Sequence, residues 1–80
     1  MNRDLAQMIV MSALRASSEL ADLPPLLKEH GDGDKDKSAK LAIASAIYEI
    51  GLIKERVFEQ HPELKEEYEV RREKYGRPYL

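Results

Sequence analysis

Residues 38–60, SAKLAIASAIYEIGLIKERVFEQ, decide how this chain folds. The stretch has no proline, and at 100° per residue Ala39, Ile43, Ala46, Ile47, Ile50, Ile53, Val57 and Phe58 gather on one side of a helix. The opposite side is apolar too, carrying Leu41, Ala44, Tyr48, Gly51 and Leu52, and only Ser38, Ser45, Glu49 and Arg56 form a consistently polar strip. A helix of this length is about 34 Å long, comparable to the whole span of a compact small domain, so an elongated helical hairpin is expected. A helix apolar almost all round needs cover on two sides.

Working outward, residues 3–21 contain no Gly or Pro, and Leu5, Ile9, Ala13, Ala16, Leu20 and Leu23 repeat with helical period. Ala6, Val10, Leu14 and Ala21 widen that face, so a long helix over about 3–22 is expected to touch two neighbours. Pro24-Pro25 stop it, because proline disfavours helical geometry before it and donates no N–H. A short helical turn over about 24–30 follows, with Asp22 as its expected cap. Residues 31–37, GDGDKDK, read as an acidic loop whose Asp36, or Ser38 just beyond it, caps the next helix. His61-Pro62 interrupts the second long helix, and Pro62 can open a third over about 62–75. That segment is densely charged, with Leu64, Tyr68 and Tyr75 on a thin seam; Gly76 then stops it and residues 76–80 form a tail.

The resulting expectation is a single all-α domain over residues 1–80: an antiparallel helical hairpin plus a shorter C-terminal helix. The short helix offers too little apolar surface to cover Leu41, Ala44, Tyr48 and Leu52. Those four residues are therefore the expected oligomer or partner interface, and a homo-oligomeric, dimeric four-helix-type bundle is the expected assembly. The competing arrangement is a monomer whose third helix folds back so that Tyr68 and Tyr75 complete the cover. Lys54, the one charge on the main face of its helix, is expected to snorkel outward near the start of the first helix, with Asp4 as its partner.

The chain has 80 residues, 13 Lys+Arg against 15 Asp+Glu, and no cysteine, so disulfides and cysteine-containing zinc clusters are excluded. The Asp32-x-Asp34-x-Asp36 alternation opens like a calcium loop. Counted from Asp32, however, the sixth and twelfth positions are Lys37 and Ile43 where such a loop needs Gly and a bidentate Glu. His30 and His61 fall at opposite ends of the second long helix, and neither Glu-x-x-His nor His-Glu-x-x-His occurs. His61 reads as a helix-end residue whose charge suits the dipole there. No serine sits in Gly-x-Ser-x-Gly, and Gly31-Asp32-Gly33 is acidic where a phosphate loop must be electropositive. No catalytic, metal or cofactor residue is assigned, and no enzyme activity is expected.

Leu41–Ile53, the longest nearly apolar run, contains Ser45 and Glu49 and is too short to span a bilayer. Met8–Leu14 lacks the flanks of a secretory signal, so a cytoplasmic location and no membrane contact are expected. The expected function is protein–protein interaction by a non-enzymatic, homo-oligomeric adaptor or regulator, with another copy or another protein as partner. The alternative is a nucleic-acid-binding regulator in which Arg71, Arg72, Lys74 and Arg77, beside Tyr75, contact phosphates and stack a base. Five Glu balance the five Lys+Arg of residues 61–80, so nucleic acid is not the expected partner.

Overall fold

The computed structural model describes residues 1–76. Within them the chain is all-helical: α1 (Arg3–Ala21), α2 (Leu23–His30), a 3-10 turn (Gly33–Asp36), α3 (Lys37–Gln60) and α4 (Pro62–Tyr75). α1 and α3 pair as the antiparallel hairpin, α2 and the 3-10 turn close one end, and α4 returns over the other.

Local chemistry sets the boundaries. The Asn2 side chain accepts from the Leu5 N–H at 2.8 Å and caps α1, a contact worth about 1 kcal/mol. α1 ends where it does because Pro24 and Pro25 cannot donate to the carbonyls of Leu20 and Ala21. Asp22 is not a side-chain cap. It stays in the right-handed helical region and its backbone N–H reaches Glu19 and Leu20, so α2 begins a residue earlier than expected. Nor does Asp36 or Ser38 cap α3. The Asp36 carboxylate instead accepts from the Asp32 N–H, folding the acidic loop on itself and letting α3 start at Lys37. Gly76, at φ 76°, takes the left-handed cap of α4, and its N–H reaches the Arg72 carbonyl.

The buried core is small and lies at one end. Ala6 and Val10 of α1, Val57 and Phe58 of α3 and Leu64 of α4 form one cluster, with Ile9, Leu14 and Tyr68 packed around it. The buried line of α1 runs through Ala6, Val10 and Ala13, rotated from the expected stripe, and leaves Leu5 45% exposed. α4 does fold back, seating Leu64 and Tyr68 against the hairpin, whereas Tyr75 stays exposed. Its reach limits what it covers. Fourteen residues make a helix of about 21 Å, against about 36 Å for α3. Within one chain α3 therefore lacks the two-sided cover its sequence calls for: only Val57 and Phe58 are buried, both near its C-terminus.

The molecule is long and thin, 44 × 25 × 14 Å with a radius of gyration of 15.0 Å, where a compact chain of this length has about 12 Å. Its accessible surface is 6077 Å². A compact monomer of 9.2 kDa exposes about 4,900 Å², leaving a surplus of roughly 1,100 Å².

Candidate interaction surface

Leu41, Ala44, Tyr48 and Leu52 recur at i, i+3, i+7 and i+11 along α3, which places them in one line on the side away from α1. Leu41 is 62% and Tyr48 65% exposed, Ala44 is exposed and Leu52 is half-buried. Ser45 and Gly51 flank them, so the line is low-relief apart from the Tyr48 ring. It ends at Glu55, Arg56 and Glu59, where Arg56 and Glu59 pair at 2.9 Å. An apolar strip of this length on one helix is unusual for an isolated soluble chain.

A second apolar area lies between the helices. α4 occupies one side of the α1–α3 hairpin, touching the hollow that Gln7, Val10 and Met11 line on α1 and the one that Lys54 and Phe58 line on α3. The Phe58 and Tyr68 rings meet at a centroid distance of 6.0 Å, tilted by 48°. Lys54 does not pair with Asp4. Its ammonium sits 5.0 Å from the Tyr68 ring centroid, because the returning α4 brings a π face within reach while Asp4 stays exposed. Among the described residues no helix covers the other side of the hairpin at the core end, and Ile53 is 47% exposed there.

The α3–α4 corner is polar and specific. His61 places Nδ1 3.1 Å from the Glu63 carboxylate and Nε2 3.0 Å from the Met1 carbonyl. The Met1 ammonium donates to Gln60 at 3.3 Å, and Arg3 pairs with Glu67 across α1 and α4. The Glu63 carboxyl is held below the usual 4.5 by its own backbone N–H at the start of α4, then by the His61 hydrogen bond and charge. His61 is thus more than a helix-end cation: it fastens the start of α1 to the corner.

The basic residues of α4 do not converge. Arg71 is half-buried beside Gln7, Met11 and Glu67, Arg72 points to solvent, and the Lys74 ammonium lies 5.2 Å from the Tyr75 ring centroid. Arg77 and the tail beyond Gly76 lie outside the described residues. The cleft beneath α4 holds about 10 Å³, the lower limit for a single water molecule. Among the described residues, no cluster of three or more His, Asp or Glu is placed to hold a metal ion, and no helix is long and apolar enough to cross a membrane.

The sequence pointed to the α3 strip directly, because its period is visible in one helix. The His61–Met1 contact and the Phe58–Tyr68–Lys54 group were missed, because they join residues far apart in the chain. The Asn2 cap carried a local signal, an Asn directly before an apolar helical repeat. Comparison with protein-family models, with curated proteins and with solved structures found no match to this chain.

Proposed function

We propose that this chain is a non-catalytic helical interaction protein that works as a homo-oligomer. The observation that supports it is the surplus of roughly 1,100 Å² of surface over a compact monomer, beside the exposed Leu5, Met8, Leu41, Tyr48 and Ile53 of the two long helices. A standard stable interface buries about 800 Å² per partner, so one self-contact would account for most of the surplus. Leu41, Ala44, Tyr48 and Leu52 give this reading a contact strip, for a second copy or another protein. A cytoplasmic adaptor or regulator is the role that fits this reading. Absolute mass by light scattering across a hundredfold dilution tests it: a multiple of 9.2 kDa is expected, and a monomer at every concentration overturns it.

A further inference from the structure

The self-association just proposed leaves open which face the copies share. We infer that it is the face formed by α1 and α4 on the side away from α3, and that its occupant is the same face of a second copy, turned end for end. The inference rests on that reading and makes it specific.

α1 and α4 run side by side in the same direction: the Met1 carbonyl meets His61 at one end, and Met11 shares a hollow with Arg71 further along. Each helix carries an outward stripe at nearly the same spacing. On α1 it reads Asp4, Met8, Met11, Arg15, and these residues line a shallow hollow. On α4 it reads Glu63, Glu66, Val70, Lys74, the first three of which line another. Gln7 and Met11 of one helix and Glu67 and Arg71 of the other line the seam between them, so the stripes form one surface. At its middle Met8 is 66% and Val70 61% exposed.

The order of charge selects the occupant. Acids early and bases late suit each helix's own dipole, and because the helices are parallel the two gradients add instead of cancelling. One end of the face is acidic through Asp4, Glu63 and Glu66, all exposed. The other is basic through exposed Arg15 and Lys74 and half-buried Arg71. Glu67 does not alter this order, since Arg3 pairs with it. The ends lie about 17 Å apart, about two Debye lengths at physiological salt, so each acts as a separate patch. A two-fold axis through the apolar middle lays the acidic end of each copy on the basic end of the other and joins the exposed Met8 and Val70 of both. Copies packed in the same direction would set like charge on like. The Leu41–Leu52 strip carries no such order, so nothing in it selects a second copy.

The experiment measures mass by light scattering, with helicity followed by circular dichroism, for the full chain and three variants: Asp4→Lys with Glu66→Lys, Arg15→Glu with Lys74→Glu, and all four together. Each pair alone is expected to weaken association roughly a hundredfold or more, because the two ends then carry charge of one sign. All four together reverse the gradient but keep it self-complementary, and are expected to restore the oligomer, which a merely structural role would not do. Raising sodium chloride from roughly 0.05 to 1 M is expected to weaken the unsubstituted oligomer, and this series decides the matter if a variant loses helicity. An oligomer that survives both paired variants, that the four substitutions together fail to restore with helicity kept, or that salt leaves unchanged overturns this face but leaves self-association standing. An unsubstituted chain that is monomeric throughout overturns both.

Discussion

The His61 imidazole reaches the carbonyl of Met1, sixty residues earlier in the chain, at 3.0 Å through Nε2, while Nδ1 faces Glu63 at 3.1 Å. Both ring nitrogens therefore meet acceptors, and both contacts are hydrogen bonds when both nitrogens carry protons. His61→Ala removes the two together and leaves the Met1 carbonyl to water. The expected cost is about 1 kcal/mol, which in a domain of this size lowers the melting temperature by roughly 4–8 °C. Thermal unfolding followed by circular dichroism checks it; an unchanged melting temperature would make the contact incidental.

Glu63 gives the corner an acid limit. Its carboxyl is held below 4.5 by its own backbone N–H and by His61. A depressed folded-state value means that the stabilisation is present above the unfolded value and is lost as the pH falls through the folded one. Urea midpoints should therefore drop as the pH falls below about 4.5, and Glu63→Gln should flatten that limb by losing the carboxylate's contribution at pH 7 while matching the parent in acid. A parallel acid limb in the variant would assign the loss to other carboxylates.

Two glycines should respond in opposite directions. A Cβ on Gly31 would run into the Leu27 carbonyl and the Asp36 carboxylate, both fixed by hydrogen bonds of the α2–loop junction. Gly31→Ala should cost about 1–3 kcal/mol. A Cβ on Gly51 meets nothing within 4 Å, so Gly51→Ala should gain about 0.5–1 kcal/mol from helix propensity. Chemical denaturation of the two variants beside the parent reads both signs.

Tyr68 ties α4 to the hairpin through Phe58 on one side and Lys54 on the other. Tyr68→Ala should cost about 2 kcal/mol, less than the 3–5 kcal/mol of a fully buried aromatic because the ring is half-exposed. Tyr68→Phe keeps both the ring contact and the π face and should be close to neutral. Denaturant midpoints distinguish them, and equal losses would shift the weight from the ring to the hydroxyl.

The long helices and their breaks were legible because each depends on local rules: the 3.6-residue period, the pair of prolines at 24 and 25, and Pro62 and Gly76 at the ends of α4. Of the eight residues read on the main apolar face of α3, only Val57 and Phe58 are buried, which the period alone did not distinguish. The seat of α4 was less legible. The seam of Leu64 and Tyr68 shows which side of the helix is apolar but not which groove receives it. Leu5 and Ile53 show the same limit from the other direction: both sit on faces whose period suggested mutual cover, yet a pair of cylinders touches along one line and leaves its flanks open. In the candidate interface, the Leu41–Leu52 strip is written in one helix, whereas the α1–α4 face appears only when two helices are placed side by side.

The core cluster draws on Ala6 and Val10, on Val57 and Phe58, and on Leu64, and this spread orders events during synthesis. The loop that joins its first and last members spans most of the chain, so its closure must be complete before the apolar contacts repay it. A nascent chain ending before α4 holds both long helices and four of the five core residues but lacks Leu64 and Tyr68, so the hairpin can pair before its core is closed. Until then the side of the hairpin that α4 covers, lined by Gln7, Val10 and Met11 on α1, is open.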